Sequence, residues 1–373
     1  MQYEMVVFGE DWGSHPSSTQ HIIKCLIERH NVIWVNSIGL RAPRPNVKDV
    51  KRVWRKLISM ALKPRKKLKD HSLTVVSPQA LPFYGNTLAR YLNGFLLKNI
   101  VSKAMKQKEM VTPVIWTSLP SAVDVIGKLN EVKVVYYCGD DFGSLAGVDH
   151  LAISKMEDEL VDKADIILVA SGELKRKFPA DKTYLLPHGV DISAFVKPSA
   201  RPEDLPMGKP IAGFYGNLAE WIDINLLADF AASLTDWNLV LIGPHNTDLS
   251  RLKKLGNVFL LGEKEHSELG AYVQHWDVSL LPFKNNAQIK ACNPLKLREY
   301  FAAGKPVVSV DFPALAEFKD LVYVADTSQD FKNLVVKAKS EPEMLRVCRR
   351  KRIEKSSWDN RAKYVEKLLN NNL

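Results

Sequence analysis

The chain has 373 residues, 46% of them hydrophobic, and a formal net charge of +10 at pH 7. This length exceeds that of one ordinary globular domain, so we expect two domains, each with its own core. The four cysteines, Cys25, Cys138, Cys292 and Cys348, are too far apart for a disulfide scaffold or a paired metal motif, which favours a reducing cytoplasm.

Short β-rich runs alternate with helical patterns in the first half of the chain, which predicts a doubly wound parallel sheet covered by helices. The first run lacks the basic flank and the length of a secretory signal. No window holds the roughly 20 apolar residues of a membrane-spanning helix, so any membrane contact is expected to be peripheral. We expect strands near 3–9, 31–36, 73–76, 113–117, 132–138, 165–170 and 183–186, and helices at 18–29, 86–107, 120–129 and 150–163.

A stretch rich in proline and polar residues, 196–210, predicts a linker between two domains. Strand patterns then restart at 211–215, 238–242, 258–261, 278–281, 307–310 and 322–324, again separated by helical segments. We therefore expect a first domain over 1–195 and a second over 211–352. An amphipathic pattern near the end predicts that 353–373 forms a helix that returns to the first domain.

The second domain contains a well-marked helix start after the strand at 278–281. Asn293 suits the N-cap, and Pro294 suits the first helical position. Lys296 then lies in the first turn, where the positive helix end disfavours a cation, so we expect an anion to compensate it. Glu299 shares a face with Lys296, and the two can hold a diphosphate and a ribose diol. An exposed surface ion pair explains the same spacing.

Residues 293–309 resemble the signature of GT-B nucleotide-sugar glycosyltransferases that build bacterial surface polysaccharides. The resemblance continues at residues 186–191, 215–218 and 276–283. It implies an α/β GT-B fold, in which two doubly wound Rossmann-like domains face a central cleft. It also implies that Glu299 binds the nucleotide ribose and Lys296 the diphosphate. The donor-binding residues expected from motif and resemblance are Gly216, Asn217, Phe283, Asn293, Pro294, Leu295, Lys296 and Glu299.

One departure from the family pattern bears on the mechanism. Many retaining members carry a glutamate eight residues before the ribose-binding one, but this chain has Ala291 there. We therefore expect inversion, with the catalytic carboxylate elsewhere. Asp140 and Asp141 follow the strand at 132–138, and adjacent acids can raise each other's pKa. Their position resembles that of the catalytic aspartate of xanthan-type glucuronosyltransferases, so we expect Asp141 as the base and Asp140 next. A loop with an aspartate cap explains the same pair.

The loop after the first strand is a second candidate region, on the acceptor side. Asp11 and His15 can do acid or base work in a cleft, and we include both as catalytic candidates. The acceptor-side candidates are Trp12, Gly13, Ser17 and Ser18. For the two serines, simple capping of the next helix is an equal explanation.

Residues 41–69 form a strongly basic segment, with Asp49 as their one acid. Apolar residues interleave at helical spacing, so we expect an amphipathic basic helix followed by a cationic loop, suited to an anionic membrane surface. A solvated basic face and a nucleic-acid site are the alternatives. The resemblance favours the membrane, because acceptors in this group are commonly lipid-linked diphosphates at the cytoplasmic face.

The resemblance implies an enzyme of exopolysaccharide biosynthesis, located in the cytoplasm and peripheral at the inner face of the plasma membrane. It would move a hexosyl or glycuronosyl group from a UDP- or GDP-linked sugar to a lipid-linked saccharide by direct displacement, with no cofactor, no metal and no nucleic-acid partner. Two alternatives stay open: a GT-B epimerase acting on the nucleotide sugar, and a basic nucleic-acid-binding protein.

Overall fold

A computed structural model describes residues 2–14, 17–37, 72–78, 84–143 and 150–371. The chain forms two compact units, one of Met1–Leu186 with Tyr364–Leu373 and the other of Pro187–Lys363. The predicted basic segment 41–69 and the candidate His15 lie outside the described residues.

The described part of the first unit contains a parallel sheet with the strand order β3-β2-β1-β4-β5-β6-β7. Several of its strands are buried along their whole length, as expected for a sheet covered on both faces. The strands are β1 (Glu4–Phe8), β2 (Asn31–Val35), β3 (Leu73–Val76), β4 (Val114–Thr117), β5 (Lys133–Cys138), β6 (Ile166–Val169) and β7 (Thr183–Leu185).

The helices of this unit lie mostly where the sequence predicts them: α1 (Ser18–Ile27), α2 (Thr87–Gln107), α3 (His150–Lys163) and α4 (Gly172–Lys177). The predicted helix at 120–129 is wrong, because only a short 3-10 helix forms there, over Pro120–Asp124. Gly127 and Asn130 adopt left-handed backbone conformations, with φ of 86° and 58°, and these end the helical path.

The described part of the second unit contains a second parallel sheet, with the strand order β10-β9-β8-β11-β12-β13. Its strands are β8 (Ile211–Tyr215), β9 (Asn238–Ile242), β10 (Val258–Gly262), β11 (Val278–Leu281), β12 (Val307–Val310) and β13 (Tyr323–Ala325). Its helices are α5 (Ile192–Val196), α6 (Ile224–Ser233), α7 (Ser250–Lys253), α8 (His266–His275), α9 (Ala287–Ala291), α10 (Leu295–Ala303), α11 (Ser328–Lys339) and α12 (Glu343–Ile353), and α13 (Trp358–Asn371) follows.

The chain passes from the first unit to the second earlier than the predicted boundary at 195 and the predicted linker at 196–210. Val190 and Phe195 are buried in the core of the second unit, which explains why this stretch belongs to it. Helix α5 also packs closely on α8, since a Cβ atom at Gly270 would lie 2.1 Å from the carbonyl oxygen of Ala194.

The helix predicted over 353–373 begins later, at Trp358. Helix α12 ends at Ile353 and α13 begins at Trp358, while Tyr364–Leu373 belong to the first unit. There Glu366 accepts a hydrogen bond from Arg29 Nε at 2.9 Å and lies 2.8 Å from His30 Nε2. No helix among the described residues is long and apolar enough to cross a membrane.

In each sheet the strand order reverses beside the unit's first strand, between β1 and β4 and between β8 and β11. Ligands of open parallel sheets bind beyond the carboxyl ends of the strands at such a reversal. The loops after β1 and β8, together with the start of α10, are therefore the places where the fold predicts binding sites.

Candidate active site

The loop after β8 brings the backbone close to a lysine side chain. Gly216 follows the last residue of β8 and has a φ of 132°, which favours glycine. Its N–H donates to the carbonyl of Ile242 at 2.8 Å, which fixes the turn. A Cβ atom at this position would lie 2.5 Å from Cε of Lys296. The absence of a side chain at Gly216 thus makes room for Lys296 at the carboxyl end of the sheet.

Lys296 lies in the first turn of α10, as the sequence predicts. Its Nζ lies 5.7 Å from the centre of the Phe214 ring. Desolvation lowers the pKa of Lys296, while the negative charge of Glu299 opposes this shift. No carboxylate within the described residues forms an ion pair with this ammonium group. The site therefore suits an anionic ligand at Lys296.

Glu299 is 3% exposed, so the alternative of an exposed surface pair with Lys296 is wrong. One carboxylate oxygen accepts a hydrogen bond from the hydroxyl of Tyr215, and the other lies 2.7 Å from His266 Nε2. Burial, and then the charge of Glu299, raises the pKa of Tyr215, which keeps its hydroxyl a donor. Glu299 is thus an oriented acceptor.

The helix start itself differs from the prediction. Pro294, with ψ of 121°, is the N-cap and Leu295 is the first helical residue, so Asn293 is not the N-cap. The side-chain oxygen of Asn293 instead accepts a hydrogen bond from Arg298, and both residues are buried. Because Arg298 engages this oxygen, it does not cap the first turn of α10.

Two other expected donor residues occupy different environments. Asn217 is exposed and follows Gly216, so its side chain is available to a ligand. Phe283 is buried, with its ring 5.7 Å from that of Phe312. The side chain of Phe283 therefore packs in the core, and its contribution to the site is to fix the loop after β11.

His188 lies in the segment 186–191, which resembles the family, but the resemblance implies no role for it. Burial, and then the positive charges of Arg298 and Arg361, lowers its pKa to about 3. The imidazole is therefore neutral at pH 7. Arg298, whose charge acts on His188, also donates a hydrogen bond to Asn293 just before α10.

In the first unit, Asp141 follows β5 and belongs to a network of charged groups. Its carboxylate accepts hydrogen bonds from Lys177 Nζ at 2.8 Å and from the N–H of Gly143 at 3.2 Å. Lys177 also donates to the buried Glu157 at 2.7 Å. Desolvation alone would lower the pKa of Lys177, but these two hydrogen bonds outweigh it and the pKa is raised. Lys177 stabilises the charged form of Asp141, which weakens Asp141 as a base.

Asp140 lies directly before Asp141 in the same loop. Although the residue as a whole is exposed, desolvation of its carboxyl group, followed by the charge of Asp141, raises its pKa. Its backbone carbonyl accepts a hydrogen bond from the Cys138 thiol at 3.2 Å, which fixes the loop directly after β5.

The loop after β1 is held together by side chains from several elements. The ring of Trp12 packs edge-on against Trp34 at 4.8 Å, and Gly13, with φ of 77°, donates to Gln20 at 3.1 Å. Ser17 caps α1, as the capping explanation predicts, and donates to the carboxylate of Glu10.

Asp11 and Ser18 lie at the two ends of the loop after β1. Asp11 is exposed, and Ser18 is the first residue of α1. Glu10, which was not predicted from the sequence, also accepts a hydrogen bond from Gln20 at 2.9 Å and helps to hold the loop together.

Tyr215 and His266, which contact Glu299, are not among the residues predicted from the sequence. Both come from other elements, at separations of 84 and 33 residues from Glu299, so no local motif joins them. The one signal present is the position of Tyr215 immediately before Gly216, within a segment that carries the family resemblance.

Comparison with known proteins finds one matching family model and a similar curated protein. Residues 209–341 match the family model for Glycosyl transferases group 1. The putative teichuronic acid biosynthesis glycosyltransferase TuaH of Bacillus subtilis is 27% identical over 231 residues, which cover 56% of this chain and 58% of that protein. The matched segment thus spans less than two thirds of that curated relative.

Solved structures match over nearly the whole chain. Sucrose-phosphate synthase from Thermosynechococcus elongatus has a TM-score of 0.74 at 15% identity, covering 99% of this chain and 98% of that one. Anabaena Alr3699/HepE in complex with UDP has a TM-score of 0.68 at 13% identity, covering 100% of both chains. These likenesses confirm the predicted fold class. The chain therefore has the GT-B fold, and residues 209–341 of its second unit are similar to the family of Glycosyl transferases group 1.

Proposed function

We propose that the chain transfers a glycosyl group from a nucleoside diphosphate sugar to a saccharide acceptor. The observation that carries this proposal is the pairing of Lys296, which no carboxylate neutralises within the described residues, with the buried and oriented Glu299. A cation beside the positive end of a helix calls for a polyanion such as a diphosphate. The family match over residues 209–341 supports a nucleotide-sugar donor.

In this scheme the donor binds through two contacts. Lys296 and the N–H groups at the start of α10 hold the diphosphate and stabilise the charge that develops as it leaves. The ribose hydroxyls take the place of His266 at Glu299, while Tyr215 keeps the carboxylate oriented. Lys296 and the positive end of α10 offset part of the negative charge of the leaving group, and in this scheme no metal takes part. The UDP complex of the Anabaena protein supports a uridine or related diphosphate as ligand.

The first unit is proposed to supply the acceptor side and the base. Asp140 takes the proton from the acceptor hydroxyl, the resulting oxygen attacks the anomeric carbon, and the bond to the diphosphate oxygen breaks with inversion. Asp141, which Lys177 holds in its charged form, positions the loop and keeps a negative charge beside Asp140. This reverses the order expected from the sequence. Trp12 and Gly13, with Asp11 beside them, are proposed to face the acceptor.

A lipid-linked acceptor and a peripheral position at the inner face of the plasma membrane are also proposed. Helix α2 supports this, because Leu88, Tyr91 and Phe95 are 68%, 69% and 54% exposed and lie at helical spacing. Leu92 and Leu96, each 41% exposed, share this face. The helix has no acidic residue and continues with lysines, and the basic sequence of residues 41–69 adds to the positive charge.

Calorimetric titration with UDP, GDP, ADP and CDP tests the donor site. We expect one of these nucleotides to bind, and we expect Lys296→Met to weaken that binding by about tenfold or more, since a charged hydrogen bond is lost. The matched control is Lys253→Met, which removes an exposed lysine of α7. If no nucleoside diphosphate binds, or if both variants bind as the wild type does, the donor-site assignment is wrong. Salt-sensitive binding of oligonucleotides would then favour the nucleic-acid alternative.

A further inference from the structure

The second unit has a cavity at the end of its sheet opposite to Lys296. Its volume is about 500 Å³, and all of its lining residues belong to this unit. It lies at the amino ends of β11 and β12, where Asp277 and Pro306 precede the strands, and at the end of α10, where Gly304 follows the helix. The cavity is therefore distinct from the proposed donor site, which lies at the start of the same helix.

Basic side chains dominate the chemistry of the cavity wall: Lys305, Lys339, Arg346 and Arg350. Arg350 donates to the last carbonyls of α10, those of Ala302 at 3.1 Å and Ala303 at 3.3 Å, and has no carboxylate partner in the described chain. Lys339 lies 5.7 Å from the Trp237 ring. Among the described residues, neither Lys305 nor Lys339 forms an ion pair.

The acids that line the cavity are already engaged. Both oxygens of Glu341 accept hydrogen bonds from the buried Arg349. Asp277 accepts from the N–H of Ile211 at 2.7 Å, and Glu343 pairs with Arg346 at 3.1 Å. The acids therefore leave Lys305, Lys339 and Arg350 without a carboxylate partner.

The positive charges around the cavity affect the pKa of Lys305. Burial is the largest cause that lowers its pKa, Asp277 opposes it, and the positive charges of Arg346 and Arg350 lower it further. Arg346 and Arg350 repel the charged form of Lys305, and a bound anion would relieve this repulsion.

We propose that this cavity binds a small phosphorylated molecule of about the size of a sugar phosphate. The phosphate group would be held by Lys305 and Lys339, with Arg350 adding positive charge. The volume exceeds that needed for a lone phosphate ion and falls in the usual range of small-molecule sites, roughly 300 to 1,000 Å³. Pro198, Pro306 and Pro342 provide uncharged wall for the rest of the molecule.

Calorimetric titration with glucose 6-phosphate as the probe, and with glucose as its uncharged counterpart, tests this site. The titration uses the Lys296→Met variant, so that Lys296 itself cannot bind the phosphate group of the probe. We expect the phosphate ester to bind and glucose not to bind. Adding Lys305→Gln or Lys339→Gln should weaken binding by about tenfold each, because each removes one charged contact.

The matched control is Lys337→Gln, since Lys337 is exposed on the same helix as Lys339 but does not line the cavity. Binding within about twofold of the parent is expected there. No binding to the Lys296→Met parent, or equal affinity in all three added variants, overturns the proposal. Because Lys339 is exposed, its variant keeps the test valid even where Lys305→Gln disturbs folding. Failure here leaves the donor-site proposal unaffected.

Discussion

The hydroxyl of Tyr215, at the end of β8, donates a hydrogen bond to the buried carboxylate of Glu299 in α10. This contact joins the strand next to the reversal of strand order with the helix that carries Lys296. Since burial raises the pKa of Tyr215, the hydroxyl keeps its proton and the hydrogen bond has one direction. Tyr215 therefore orients the carboxylate that is proposed to hold the ribose.

Tyr215→Phe should weaken nucleoside diphosphate binding by about five- to tenfold, because Glu299 loses the donor that orients it. Calorimetry with the nucleotide that binds the wild type provides the measurement. Tyr272→Phe is the matched control, since its hydroxyl donates to Asp204 at 2.8 Å instead. Equal losses in the two variants would show that Tyr215 has no special role in binding.

Asp140→Asn should lower kcat by about 10² to 10⁴, the usual contribution of a general base. Asp141→Asn should cost less, because Asp141 is held by Lys177 and acts through position and charge. The pKa of Asp140 is raised, so wild-type kcat should fall as the pH falls through that pKa and the base becomes protonated. Full activity of Asp140→Asn, or a larger loss in Asp141→Asn, would contradict this assignment.

The stability of the chain should depend on His188 in acid. Its pKa is lowered from 6.5 to about 3, so the unfolded state takes up a proton at a pH where the folded state does not. His188 therefore contributes stability above pH 6.5 that is lost as the pH falls toward about 3. Between pH 7 and pH 5, the free energy of unfolding measured in urea should fall less for His188→Gln than for the wild type.

His245→Gln, which removes an exposed histidine, is the control for this comparison. It should lose as much stability between the two pH values as the wild type. A wild-type pH dependence that persists unchanged in His188→Gln would mean that other groups cause it.

The exposed face of α2 should bind anionic membranes. Vesicles of phosphatidylglycerol and phosphatidylcholine should carry the wild type to the top of a density gradient. The double variant Tyr91→Ser with Phe95→Ser loses two large apolar side chains. Its binding to the vesicles should therefore be weaker by at least about tenfold. Val111→Ser is the control, as Val111 is 66% exposed but lies outside α2. Unchanged flotation of the double variant would exclude this face as the membrane contact.

The fold could be predicted because its strands are short apolar runs whose pattern depends only on nearby residues. The predictions that failed concern features that depend on residues distant in the sequence. Asparagine is a common N-cap residue, but the side-chain oxygen of Asn293 accepts a hydrogen bond from Arg298 instead. The polar stretch at 196–210 suggests a linker, yet Phe195 just before it is buried in the second unit.

The same reasoning applies to the site. The spacing of Lys296 and Glu299 places them on one helix face, and the structure shows how their environments differ. The partners of Glu299, Tyr215 and His266, come from other elements and have no motif in common with it. Likewise, the preference for Asp140 over Asp141 depends on Lys177, which is 36 residues away from Asp141.

Transfer of radiolabelled sugar from nucleotide sugars to a bacterial lipid extract tests the central claim most directly. We predict that label moves from the nucleotide that binds best into the lipid fraction with the wild type and with Lys253→Met, and that Lys296→Met reduces this transfer by about tenfold or more. Label that stays on the nucleotide, or that appears in an isomeric nucleotide sugar without any acceptor, would contradict the claim and favour an epimerase.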